Sequence, residues 1–241
     1  VTEDASGQRT VLVTGGNRGI GLATARRFAD LGHRVAVTSR SGGVPDDRLL
    51  GITCDQSDGE AVDAAFEQIT GELGAVEILV ANAGITRDQL LLRMTDDDFA
   101  DVVDTNLVGS YRMAKRASRA MLRARWGRLI FVSSVVGLSG QAGQVNYAAS
   151  KAGLVGMARS LARELGSRSI TSNVVAPGPV ATDMLDELTD DQRSAITDAV
   201  PLGRVAEADE IAAAIAFIAS EQAAYITGAV IPVDGGLGMG H

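Results

Sequence analysis

The sequence is poor in the residues that build disulfides and metal centres. Cys54 is the one cysteine in 241 residues, so no intramolecular disulfide can form and a reducing compartment is compatible. The two histidines, His33 and His241, lie far apart in the chain, which excludes a histidine-based metal cluster. No run approaches the roughly eighteen uninterrupted apolar residues of a membrane-spanning helix. The opening VTEDASGQR has no basic stretch followed by an apolar one, so it does not read as a secretory leader. Positive charge is also scarce. With 22 Lys and Arg against 30 Asp and Glu, the net charge of −8 argues against nucleic-acid binding through an overall basic field, while allowing a local basic patch. A soluble, cytoplasmic protein is the expectation.

What is present is an ample supply of core residues, 46% hydrophobic, and 28 glycines that signal tight turns and close backbone approaches. Short apolar runs alternate with helical patterns, without a linker or an internal repeat. This predicts one doubly wound α/β domain of Rossmann type, with a seven-stranded, mainly parallel sheet over residues 10–241. The polar residues 1–9 read as a flexible N-terminal segment.

The first strand, Thr10–Thr14, runs straight into GGNRGIG and then into a helical stretch. Strand, glycine turn and helix in that order form the setting in which such a turn binds a dinucleotide. The spacing is T-G-x-x-x-G-x-G, with Thr14, Gly15, Gly19 and Gly21 at the fixed positions and Asn17, Arg18 and Ile20 between them. Glycine suits the sharp turn and the close approach of a pyrophosphate, and the helix N-terminus faces the anion. After the second strand, Arg34–Thr38, come Ser39 and Arg40, with no acid until Asp46. A free ribose 2′-hydroxyl is usually met by a carboxylate here, whereas Arg40, aided by Arg18, suits a 2′-phosphate. The expectation is NADPH rather than NADH; the alternative is that both arginines are solvated surface charges.

A third strand, Leu50–Cys54, brings Asp55 within reach of the adenine, and Cys54 reads as a small buried residue rather than a nucleophile. Ser57 is expected to cap a helix ending near Leu73, with Glu60 completing a capping box. A fourth strand, Ile78–Ala81, ends in Asn82-Ala83-Gly84, where the amide can fasten two strand ends and the small residues leave room for a ring. Thr95 and the acids after it predict a helix start, and the helical pattern continues to about Arg125. Asn106 in the middle of that helix is at home neither in a core nor as a helix former. It reads either as a polar interior group, for example one holding a water beside Lys151, or as a surface residue.

The fifth strand, Leu129–Ser133, delivers Ser134 at its carboxyl end, where open α/β sheets keep their ligand crevice. A loop, Gly137–Gly143, leads to a helix extending to about Leu165 that carries Tyr147 and Lys151 four residues apart. At that spacing the two side chains share a helix face, roughly 5–6 Å apart at Cβ. A phenol is protonated at neutral pH, and a nearby ammonium lowers the cost of the phenolate it leaves behind. Tyr147 therefore reads as a general acid, with Ser134 donating to the same carbonyl oxygen. Y-x-x-x-K on its own also occurs in many ordinary helices. The sixth strand, Thr171–Val175, leads to Pro177-Gly178 with Thr182 close behind. The polar segment 183–202 has the length of a substrate-covering lid. A helix over Glu207–Ser220 and a last strand over Ala229–Val233 complete the pattern.

Taken together, the glycine turn TGGNRGIG, NAG at 82–84, Asn106, Ser134, YAASK and Pro177-Gly178 resemble the short-chain dehydrogenase/reductase family in order and approximate spacing. The resemblance covers the chain from Thr10 onward. It implies catalytic roles for Asn106, Ser134, Tyr147 and Lys151, with Lys151 also touching the nicotinamide ribose and Thr182 the carboxamide. NAGITRDQLLLRM, the 133–164 segment and the ending GAVIPVDGGLGMGH most resemble β-ketoacyl-acyl-carrier-protein reductases, and that ending and the VTGGNRGIGLA start are especially similar to the actinobacterial, mycobacterial-type enzyme. That likeness implies NADPH-dependent reduction of a 3-oxoacyl thioester in fatty-acid synthesis, an acidic acyl carrier protein as partner, and a homotetramer. Arg125 and Arg168 match basic positions of this subgroup and are the candidate carrier contacts, unless they are ordinary solvated arginines. Two other readings use the same residues: a reductase of free carbonyls such as quinones, steroids or sugars, and a nucleotide-binding module without turnover.

Overall fold

The computed structural model describes residues 7–181 and 190–239. The order of elements is β1 (Thr10–Thr14), α1 (Gly19–Asp30), β2 (Arg34–Ser39), β3 (Leu49–Thr53), α2 (Gly59–Glu72), β4 (Ile78–Ala81) and α3 (Asp96–Val103). After α3 come α4 (Gly109–Ala124), β5 (Gly127–Val132), α5 (Val136–Ser139), α6 (Val145–Leu165), β6 (Ile170–Pro177), α7 (Asp190–Ala199), α8 (Ala208–Ala219) and β7 (Val230–Val233). The seven strands form one sheet in the order β3-β2-β1-β4-β5-β6-β7, and every pair is parallel.

A sheet buried on both faces needs apolar residues at successive positions, because neighbouring side chains point to opposite sides. In β1, Leu12 faces one layer and Val11 and Val13 the other. The Leu12 layer packs Leu79, Leu129 and Phe131 against Val62 and Ile69 of α2, Met113 and Met121 of α4, and Leu154 of α6. The opposite layer packs Val35, Val37, Ile78, Val80 and Ile130 against Phe28 of α1 and Ile211 and Ile215 of α8. The expected fold class is the observed one.

The differences from expectation lie in element ends and one interior. Asp58, not Ser57, caps α2 by accepting from Glu60 N at 2.8 Å, while the Ser57 hydroxyl donates to Asp55 at 2.6 Å. Two adjacent polar residues both suit a cap, and the chain uses the one nearer the first turn. β6 runs on to Pro177, and β5 begins at Gly127 because Arg128 is buried in it. The Thr95 cap forms as expected, and Asp98 adds a capping box to it. The long helix that follows is broken by a π-helical turn, Asp104–Val108. Thr182 and most of the start of the expected lid, 183–189, lie outside the described residues; part of the rest is α7.

At the amino-terminal end of the sheet sits an ionic and aromatic cluster. The indole of Trp126 lies between Arg9 (3.9 Å to its ring centroid) and Arg128 (4.4 Å). Glu221 accepts from Trp126 Nε1 at 2.8 Å and from Arg128 at 3.1 Å, and Arg9 donates to Glu77 at 2.7 Å.

Candidate active site

The site occupies the carboxyl ends of the strands, where β2 and β4 leave β1 on opposite sides and the connections diverge. A cavity of about 680 Å³ opens there, lined by the glycine turn, by Ser39, Arg40 and Ser41 after β2, by Asp55 and Gln56 after β3, and by residues 82–86 after β4. Asn17, Arg18, Gly19, Ile20 and Gly21 all contribute to its wall. Gly15 holds φ +64, and a Cβ on Gly21 would run into the carbonyl of Gly15, so both positions require glycine for the turn to fold against α1.

Thr14 is fully buried and acts on the cavity indirectly. Its Oγ1 accepts from the amides of Asn82 (3.0 Å) and Ala83 (2.9 Å), and Asn82 Nδ2 donates back to Thr14 O at 2.9 Å. The expected fastening of two strand ends by this amide is therefore present, and it aligns the NAG turn with the glycine turn.

The donor set fits a phosphorylated dinucleotide. α1 starts without a side-chain cap and without an acid in its first turn, leaving the amides at its N-terminus for an anion. The end of β2 offers Ser39, Arg40 and Ser41 to the cavity. The first acid beyond, Asp46, is held by Arg48 (2.8 Å) and Arg26 (3.2 Å), which keep its carboxyl well below the usual range. Asp55 is also held low, by the hydroxyl and amide of Ser57 and, more weakly, by the charges of Arg40 and Arg112. Cys54 is buried, and burial pushes its thiol up to about 11, so it is inert at neutral pH.

Beyond the cavity, Ser134 follows β5 and Tyr147 and Lys151 rise on the first turns of α6. Asn146, fully buried and not singled out from the sequence, seats the start of that helix. Its Nδ2 donates to Arg87 O (2.9 Å) and Asp98 O (3.2 Å), and its Oδ1 accepts from Tyr147 N (2.7 Å). Gly137 lets α5 lie against α6, since a Cβ there would sit 2.8 Å from Lys151 Cβ.

The Tyr147 phenol is pushed up by burial, against a hydrogen bond with Ser134 that draws it down, so it stays protonated at neutral pH. Lys151 is 4% exposed, and burial lowers its ammonium to about 8. Its Nζ donates to Val132 O at 2.8 Å and lies 5.6 Å from the Tyr147 ring centroid. Ser134 thus acts on the phenol, while the Lys151 amine lies against the ring and is held by the end of β5.

Asn106 lies inside the π-helical turn and is fully buried. Its Oδ1 accepts from Ile85 N (2.8 Å), and its Nδ2 donates to Ile85 O (3.0 Å) and Ser150 Oγ (3.0 Å). A Cβ on Gly84 would be 3.1 Å from Asn106 Oδ1 and 3.4 Å from Lys151 Nζ, so these two polar groups converge over one glycine. Pro177 accepts from Val135 N at 2.9 Å, which puts the end of β6 beside Ser134. Gly178 is needed for close approach to Asp234, whose Cα would be 2.7 Å from its Cβ. Arg125 and Arg168 are not brought to this site. They lie just before β5 and β6, at the other end of strands roughly 20 Å long.

Among the described residues no group of three His, Cys, Asp or Glu is placed to hold a metal ion, and no helix is long and apolar enough to cross a membrane.

A family model described as enoyl-(acyl carrier protein) reductase matches residues 15–238. The chain is similar to curated proteins along nearly its whole length. It is 52% identical over 233 residues to a 3-oxoacyl-[acyl-carrier-protein] reductase MabA of Mycobacterium avium, covering 97% of this chain and 91% of the relative. To the MabA of Mycobacterium tuberculosis it is 53% identical over 233 residues, covering 97% and 94%. To the 3-oxoacyl-[acyl-carrier-protein] reductase FabG of Escherichia coli it is 48% identical over 238 residues, covering 96% and 98%.

Proposed function

The chain belongs to the short-chain dehydrogenase/reductase family, and from that premise we propose that it reduces 3-oxoacyl-acyl-carrier-protein thioesters to 3-hydroxyacyl thioesters in fatty-acid synthesis. The observation that carries this reading is Tyr147 on α6 against a buried lysine whose Nζ lies beside Gly84 in the cavity wall, with Ser134 acting on the phenol from the end of β5. NADPH supplies the hydride when bound. The glycine turn, α1 and residues 82–84 would hold it, with Arg40 and Arg18 the candidates for its 2′-phosphate.

Ser134 and Tyr147 present two hydroxyls to one ketone oxygen, where negative charge develops as the carbonyl carbon is reduced. The Tyr147 proton moves to that oxygen. The ammonium of Lys151, still largely charged at pH 7, offsets the charge left on the phenolate. The convergence of Asn106 Oδ1 and Lys151 Nζ over Gly84 supports a role for both in the route by which solvent would reprotonate the phenol.

The partner is an acyl carrier protein. Within one chain Arg125 and Arg168 sit across the sheet from the site, so they meet a carrier docked at this crevice only when another copy presents them. That requirement agrees with a homotetramer. A cytoplasmic setting agrees with a chain whose single thiol is buried and unpaired.

The test is NADPH oxidation with an acetoacetyl thioester, a 2-enoyl thioester and free ketones in parallel. Turnover of the acetoacetyl thioester well above the other two is expected. Negligible turnover of it would overturn the reading in favour of a free-carbonyl or enoyl reductase.

A further inference from the structure

Gln56 was assigned no role by its sequence context, yet it is 5% exposed and touches three parts of the site at once. Its Nε2 donates to Ala83 O in the NAG turn at 3.1 Å and to Thr105 O at 2.7 Å, which uses both amide hydrogens. Its Oε1 is buried without a hydrogen-bond partner among the described residues. The residue is held for what it donates, because its acceptor gains nothing.

The Thr105 carbonyl is the informative partner. In a regular α-helix it would accept from the Gly109 amide four residues on. In the π-helical turn that amide reaches back five residues, to Asp104 O. The Thr105 carbonyl is free to take the Gln56 amide instead. Gly109 belongs to the same arrangement, since a Cβ there would lie 2.7 Å from Gln56 Cγ and 3.0 Å from Cδ. A widened helical turn, a glycine that admits a side chain and an amide that fills the vacated bonding position form one device, and its next residue is Asn106.

We propose that Gln56 is a positioning residue that stabilises the π-helical turn and thereby aims Asn106 at Ile85, Ser150 and the Lys151 side of the site. Through Ala83 it also ties that turn to the wall of the cofactor cavity. The inference rests on the catalytic reading of Asn106 given above.

Gln56→Met keeps the volume and removes both donors. Its expected effect is an approximately tenfold lower kcat for the acetoacetyl thioester, with KM and the Kd for NADPH each within about twofold. In an Asn106→Ala background the same change should lower kcat by less than about twofold, because a residue acting through Asn106 has nothing left to position. Gly109→Ala, which crowds Gln56 without changing it, should reproduce the kcat loss if the Met variant folds poorly. Equal losses in both backgrounds, or a loss in NADPH affinity alone, would overturn the proposal. Hydrogen exchange at residues 104–110 is expected to quicken in Gln56→Met, and unchanged exchange would also overturn it. That arm needs no turnover. A wild-type enzyme inactive on the thioester would sink the substrate reading while exchange still decides the role of Gln56.

Discussion

The two ends of the sheet each bury a cation, and they treat it in opposite ways. At the amino-terminal end Arg128, 2% exposed, is paired with Glu221 and stacked on Trp126. At the carboxyl end Lys151, 4% exposed, has a backbone carbonyl as its hydrogen-bond acceptor and burial alone as the cause of its shift. Burial lowers both, but a guanidinium starts so high that it stays charged, with Glu221 opposing the drop. The lysine is brought to about 8, close to working pH. One end fixes its charge to hold the fold, and the other leaves its charge adjustable near working pH.

Substitutions should separate the two ends. The largest effect expected is from Tyr147→Phe, a loss of about 10³-fold or more in kcat with unfolding by urea unchanged. If activity survives, the carboxyl end does not work through this phenol. Glu221→Ala should do the reverse. It strands Arg128 and costs roughly 3 kcal/mol in urea unfolding, the low end for a broken buried pair because Glu221 is 39% exposed, and kcat per folded molecule stays the same. Arg40→Ala is expected to raise the KM for NADPH by about 10- to 100-fold while leaving that for NADH unchanged, as befits a lost charge-assisted contact.

The smallest effect lies in pH. The ammonium of Lys151 is lost as pH rises through about 8, so kcat should fall there. Stability should move the other way. Between about 8 and the unfolded value near ~10.4 the unfolded chain binds the extra proton, so raising pH stabilises the folded state. Urea titrations of the wild type against Lys151→Met across that window should show the wild type gaining. A parallel pair of curves would mean that folding does not lower the proton affinity of the lysine.

Much of the carboxyl end was legible because its chemistry sits in short segments. The strand that delivers Ser134, the i, i+4 pair on α6 and the glycine turn each read locally. Thr95 read as a cap for the same reason, and Asn106 read as misplaced in a helix because it is. What could not be read depends on partners distant in the chain. Gln56 meets Thr105 across 49 residues, and Arg128 looked like a strand boundary because Glu221 lies 93 residues away. Ser57 and Asp58 differ by one position in a run where either can cap. The end of the sheet at which Arg125 and Arg168 lie was not legible for another reason, since a basic residue in sequence does not say which end of a strand it occupies.

The contact between Gly178 and Asp234 has a consequence for biosynthesis. Asp234 accepts from the amides of Gly236 (2.9 Å) and Gly238 (2.7 Å), closing the turn that follows β7 against the end of β6. The Pro177 side of the crevice therefore waits for residues near 240 to leave the ribosome, long after the glycine turn has emerged. Until then β6 presents an open parallel edge that only β7 can cover, and a nascent chain halted before residue 230 would carry a nearly complete dinucleotide cavity beside an adhesive strand.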